Sequence, residues 1–105
     1  MSSSPTQRSL AVMRERGYPL VQVTERWNAF AKVRVDLFGI IDILCVSETD
    51  IVGIQATSAS NVSARINKIT ESAALPVLRK AGVRVLVHGW RKSKGRWVLR
   101  EVDIL

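Results

Sequence analysis

The chain has one cysteine, one tyrosine and one histidine among its 105 residues. A lone Cys45 excludes an internal disulfide and a cysteine-based zinc site. Its neighbours in "IIDILCV" mark it as a small buried hydrophobe. A lone His88 argues against a histidine zinc site and against a Ser-His-Asp triad, leaving it a structural residue or a phosphate contact. No apolar run approaches the roughly 18 residues of a membrane span. The opening "MSSSPTQRS" lacks the apolar centre of a signal peptide. The expectation is a cytoplasmic protein built as one domain over 1–105 with residues 1–4 as a disordered tail.

Acidic residues are also scarce. Nine Asp and Glu face sixteen Lys and Arg, for a net charge of +7, and eleven of the sixteen are Arg. The planar guanidinium matches phosphate bidentately, and a basic surface attracts a polyanion. Nucleic acid, and DNA first, is therefore the expected partner.

The 47% hydrophobic content suffices for one small core. A helix is expected over 6–16, with Ser4 as N-cap, Pro5 in the first turn and Gly17 as the stop. Leu10, Met13 and Val12 form its apolar side. Strands follow at 20–25, 40–46 and 51–57, the last two joined by the turn "SETD" into an antiparallel hairpin. The intervening 26–39 has no clean period and reads as a loop, or as a strand extension bending over a site. Helices are expected over 61–69, capped by Ser58 or Ser60, and over 73–82, closed by Gly82. Strands at 83–90 and 97–104 flank a basic turn at 91–96, with Trp90 and Trp97 paired across it. The fold class is thus α/β, in the order α-β-β-β-α-α-β-β, with helices flanking a mixed central sheet. The helical crossover makes the third and fourth strands parallel.

The hairpin "GIIDILCVSETDIVGIQATS" holds the most informative residues. Asp42, Gln55 and Thr57 interrupt two apolar strands. Gln55 and Thr57 share a face by alternation, and Asp42 joins them if the register permits. An unpartnered buried polar group costs about 1–3 kcal/mol and a carboxylate more. Either Asp42 pairs with an arginine while Gln55 bonds across the sheet, or these oxygens hold a hard cation such as Mg²⁺.

This order of elements, with the "IIDILCV" and "IVGIQATS" pair, resembles the PD-(D/E)xK nuclease superfamily, and within it the small Holliday-junction-resolvase-like and VRR-NUC-like phage-type domains. The resemblance covers roughly residues 5–90 and includes Gly17 and Tyr18 after the first helix. It implies a restriction-endonuclease-like core. Asp42 takes the metal-binding aspartate position, Gln55 the acid position and Thr57 the lysine position. Both Gln55 and Thr57 depart from the usual residues. The missing basic group is then sought on the following helix, at Lys68 or Arg65. The family's acid on the first helix falls near Thr6 or Gln7, with Glu25 or Asp36 as substitutes. Asp42, Gln55, the Ala56 carbonyl, Asp36 and Glu25 are the implied ligands of Mg²⁺ or Mn²⁺, serving phosphodiester hydrolysis.

Nucleic-acid contacts are expected from Arg34, from Ser58, Ser60, Asn61 and Arg65 around a helix N-terminus, and from Arg91, Lys92, Lys94 and Arg96 in the basic turn. The expected activity is a metal-dependent DNA endonuclease, possible as a homodimer. The alternatives are a nuclease-fold module that binds DNA without cutting it, or a protein-interaction subunit of a larger complex.

Overall fold

The structure, a computed structural model, describes residues 3–105. Helix α1 (Pro5–Glu15) is followed by β1 (Leu20–Val23), β2 (Arg26–Asn28), β3 (Val33–Val35), β4 (Ile43–Val46) and β5 (Ile51–Ser58). A 3-10 turn (Ala59–Asn61) leads into α2 (Val62–Thr70) and α3 (Ala74–Lys80), then β6 (Val83–Ser93) and β7 (Arg96–Asp103). Five strands form one mixed sheet in the order β1-β4-β5-β6-β7. Only β5 and β6 pair in parallel within it, as the helical crossover requires. The expected α-β-β-β-α-α-β-β order holds for this sheet, and β2–β3 is a separate two-stranded insertion.

Alternation along the strands builds two cores. Ile43, Cys45, Val52, Ile54 and Leu86 face Leu10 and Met13 of α1. Ile41, Val85, Val87 and Ile104 face Val62 and Ile69 of α2 and Leu75 of α3. Helices thus cover both faces, and each fully buried aliphatic side chain contributes about 1.5–3 kcal/mol. Cys45 is fully buried, as its apolar run implies. Ser4 caps α1, its side chain accepting from the Gln7 N–H. Of the expected tail, residues 1 and 2 lie outside the described residues. Among the described residues no helix is long and apolar enough to cross a membrane.

Several expectations are corrected. The first strand stops at Val23 rather than 25. There Thr24 turns away, donating from Oγ1 to the Ile41 carbonyl and from its amide to the Asp42 carbonyl. The segment 26–39 is not a loop but a hairpin followed by a tight turn. Phe38 and Gly39 take φ of 55° and 77° there, which delays the next strand to Ile43. The basic turn shrinks to Lys94 and Gly95, both at positive φ (51° and 76°), so Arg91–Ser93 and Arg96 belong to strands. A two-residue turn of this kind matches strand twist. Its register pairs Trp90 with Leu99 and Lys92 with Trp97, so the two tryptophans are not opposite one another. Arg8 of α1 bridges them, lying 3.5 Å from the Trp97 ring centre and 5.5 Å from that of Trp90. Neither Ser58 nor Ser60 caps α2 by its side chain; the two hydroxyls lie 3.2 Å apart.

β1, β5 and β6 run in one direction, so their C-terminal ends share one end of the sheet. Both basic hairpins, β2–β3 and the tip of β6–β7, leave from that end.

At Gly89 in β6, α2 approaches the sheet closely. A Cβ built there meets Val62 Cγ2 at 2.2 Å and the Ala59 Cα at 3.3 Å. Val62 is β-branched and cannot swing aside. Gly89→Ala is therefore expected to lower unfolding stability by about 1–3 kcal/mol in urea titration.

Candidate functional site

β4 begins at Ile43, opposite Ile54, while β5 continues past that pair to Ser58. Beyond Ile54 the edge of β5 facing β4 lacks a strand partner. Asp42, the residue before β4, supplies one with its side chain. Its Oδ2 accepts the Ala56 N–H at 2.9 Å, and its own amide donates to the Ile54 carbonyl at 2.8 Å. In a strand a residue's N–H and C=O point to the same edge, so the Ala56 carbonyl also turns toward Asp42. Asp42 lies just before the Ile43–Ile54 pair, and both its amide and its side chain bond the edge of β5.

The β2–β3 hairpin brings two further carboxylates. Its last pair is Arg26 with Val35, so Glu25 and Asp36 form its base. One oxygen each from Glu25, Asp36 and Asp42 lie within 4.8 Å of one another. The sequence offers Glu25 and Asp36 as alternatives, and the hairpin delivers both. Arg34 donates to Glu25 at 3.0 Å.

Lys68 on α2 closes the cluster. Its Nζ donates to Asp36 Oδ2 at 3.3 Å and to Gln55 Oε1 at 3.2 Å, while Gln55 Nε2 donates to Asp36 at 3.2 Å. Asp42 and Gln55 are buried, at 5% and 1% exposure. Burial, then the adjoining Asp36 carboxyl, pushes the Asp42 carboxyl up to about 7, against the pull of the Ala56 N–H. Burial also opposes ionisation of Asp36, but hydrogen bonds from Asp42, Gln55 and Lys68 together hold it below the usual carboxylate range. Asp42 therefore titrates near neutral pH while Asp36 stays ionised.

The donor set fits a hard divalent cation. With bonds of about 2.0–2.6 Å, oxygens on opposite sides of an ion lie roughly 4–5 Å apart. Glu25, Asp36, Asp42 and the Ala56 carbonyl are oxygen donors of that kind. A cleft of about 470 Å³ lined by Thr24, Arg26, Val35, Asp36 and Phe38 opens beside Asp36.

Other expected residues lie apart from this cluster. Thr57 is buried beside Gly89 and, among the described residues, makes no hydrogen bond to the acids. Arg65 sits half-buried three residues before Lys68 on α2, outside the hydrogen-bonded cluster. Thr6 and Gln7 belong to α1, which packs on the opposite face of the sheet and contributes no acid here. Tyr18 bonds Asp50 at 2.6 Å in the β4–β5 turn, at the far end of the sheet. Ser58, Ser60 and Asn61 bond one another, with Asn61 Nδ2 donating to Ser58 at 3.0 Å. Arg91, Lys92, Lys94 and Arg96 are exposed toward the tip of β6–β7. The register aligns Gln55 with Val87, so these residues begin roughly 13 Å beyond the acids along the strands.

One buried chain of polar groups is not evident from the sequence. Trp90 Nε1 donates to Ser9 Oγ at 2.9 Å, and Ser9 lies 2.8 Å from His88 Nδ1. Because the Glu101 carboxylate can only accept, the neutral ring carries its proton on Nε2, and the serine donates to Nδ1. His88 Nε2 then donates to Glu101 at 2.7 Å, and Arg16 donates to the same oxygen at 2.6 Å. Ser9 and His88 are fully buried, so this sequence of groups ties α1 to β6 and β7 and offers no nucleophile. Burial drives the His88 pKa below its ordinary value, outweighing Glu101.

No known protein family, curated protein or solved structure matches the chain.

With divalent ions chelated, Asp42→Asn is expected to raise stability at neutral pH by about 1–2 kcal/mol in urea titration. The sign follows from linkage. The folded pKa of Asp42, about 7, lies above its ordinary 3.8, so its contribution is full at low pH and is lost as pH rises through about 7. His88 slopes the other way. Its folded value lies below the ordinary 6.5, so stability is lost as pH falls below that value. Glu101, facing it with Arg16, is held low and titrates further down. In the Asp42→Asn protein the His88 slope stands alone, and stability falls between pH ~7.5 and ~5.5; adding His88→Gln flattens it. A neutral-pH stability that is unchanged or lowered by Asp42→Asn contradicts this account.

Proposed function

We propose that this protein is a metal-dependent nuclease that hydrolyses phosphodiester bonds in DNA. One observation carries the reading. Three carboxylates within 4.8 Å meet a lysine that bonds both Asp36 and Gln55, at the unpaired edge of a strand. This supports the likeness to PD-(D/E)xK nucleases at Asp42 and Gln55, with the basic group drawn from the following helix at Lys68. The net charge of +7 and the two basic hairpins leaving the same end of the sheet suit a polyanionic substrate.

Glu25, Asp36, Asp42 and the Ala56 carbonyl are the groups that hold Mg²⁺ or Mn²⁺ in this reading. When bound, such an ion polarises a phosphate oxygen and lowers the pKa of water. The chain's own groups do the rest. Gln55 fixes Asp36 and Lys68 relative to one another through both ends of its amide. The Lys68 ammonium offsets negative charge developing on the phosphate. Arg34, bonded to Glu25, orients that carboxylate.

A second reading, DNA binding without cleavage, is favoured by Gln55. Its neutral amide stands where the resemblance expects an acid, and it is spent on Asp36 and Lys68.

The purified chain incubated with DNA is expected to cleave it in Mg²⁺ or Mn²⁺ and not in EDTA. Asp42→Asn and Lys68→Ala should each lower the rate by roughly 100-fold or more, with binding in EDTA retained. Cleavage that survives Asp42→Asn, or proceeds in EDTA, sinks the nuclease reading. Salt-sensitive binding with no cleavage in either metal establishes the binding module instead.

A further inference from the structure

The β2–β3 hairpin exposes apolar surface that nothing in its own fold covers. Phe30 at its tip is 101% exposed, Trp27 61% and Val33 50%. The tip is nonetheless ordered. Asn28 Oδ1 accepts the amides of Phe30 and Ala31 at 3.0 and 3.1 Å, and Lys32 takes a φ of 55° to close the turn. This holds Phe30 outward instead of folding it back onto the sheet. Arg26, Lys32 and Arg34 are exposed on the same ten residues, which contain no acid. Trp27 and Arg34 are directly opposite, so an indole and a guanidinium share one side.

An aromatic ring among exposed cations, of which Arg34 is shared with Glu25, fits a partner with flat apolar faces on an anionic backbone. The base of the hairpin is Glu25 and Asp36 themselves, so whatever binds the hairpin runs into the acid cluster. In a paired duplex the base faces are already stacked, and an aromatic side chain reaches them only where a nucleotide is unpaired. We infer that Phe30 stacks on an unpaired base of the nucleic-acid strand on which the acid cluster acts, while Arg26, Lys32 and Arg34 follow its phosphates. The preferred substrate then carries unpaired nucleotides beside duplex. This inference rests on the nuclease reading and adds the selector of substrate form. Phe30 stands five residues from Glu25, roughly 15 Å along the hairpin. At about 3.4 Å per nucleotide, the scissile phosphate lies roughly four or five nucleotides from the stacked base.

The test uses the full chain in EDTA with a fluorescently labelled duplex and the same duplex interrupted by a short single-stranded gap, read by anisotropy. Wild type is expected to bind the gapped DNA about tenfold or more tightly. Phe30→Ala should weaken gapped binding roughly 5- to 100-fold and paired binding by no more than about twofold, with Phe30→Tyr restoring the preference. In Mg²⁺, cuts should fall roughly four or five nucleotides from the gap. Equal loss on both DNAs, or no loss on either, overturns the role of Phe30. So does a dimer in sedimentation that Phe30→Ala dissociates, which makes the tip a self-association surface, or binding to anionic lipid vesicles that Phe30→Ala removes while DNA binding stands. Wild type that binds neither DNA removes the nuclease reading as well. Metal-dependent cleavage of paired DNA that is identical in wild type and Phe30→Ala removes this inference alone.

Discussion

The candidate site depends on a mismatch of strand lengths. β4 stops four residues short of the end of β5, and a buried strand edge must satisfy its amides. Asp42 meets that demand with a carboxylate accepting the Ala56 N–H. The same side chain is then fixed beside Asp36 and Glu25, and the Ala56 carbonyl is left facing them. A partner strand one residue longer would satisfy the edge with backbone and displace the acid. The positioning of the carboxylates is thus a by-product of ending a ladder early and completing it with a carboxyl side chain.

Two buried polar assemblies occupy opposite faces of one sheet, and they differ in how well they are balanced. On the α1 side, Ser9, His88, Glu101 and Arg16 hand hydrogen bonds along a single line, with the imidazole neutral and its tautomer set by the Glu101 carboxylate. On the α2 side, three carboxylates crowd together with one lysine on Asp36 and one arginine on Glu25, and one acid keeps its proton near neutrality. The first assembly is satisfied by the protein alone. The second sets three carboxyl groups against two cations and is balanced only while Asp42 keeps a proton.

Much of the architecture was legible in the sequence because it rests on local signals. Pro5, Ser4 and Gly17 bound α1, Gly82 ends α3, and the β-branched runs mark β5 and β6. The antiparallel pairing of the two strands that carry Asp42 and Gln55 follows from their apolar runs and a four-residue turn. What was not legible depended on pairing at a distance. The segment 26–39 shows no clean period because its strands are three residues long and mostly exposed, so no buried face imposes alternation. Yet that hairpin decides that Glu25 and Asp36 meet, which left them as interchangeable candidates beforehand. The Lys94–Gly95 turn was missed because a lysine at positive φ leaves no mark in composition. The sequence leaves Lys68 and Arg65 as candidates, and the bonds of Lys68 to Asp36 and Gln55 follow from the packing of α2. Ser9, 79 residues from His88, had no local signal at all.

That last separation has a temporal meaning. The first helix emerges early from a ribosome, but the imidazole and carboxylate that anchor it lie on the last two strands. At typical synthesis rates of about 5–20 residues per second, α1 waits roughly 4–16 s for those anchors. The helix seat on β6 that carries Lys68 into the acid cluster is likewise made late. A chain interrupted before β6 therefore lacks this arrangement of groups, and assembly of the site is tied to synthesis of β6 and β7.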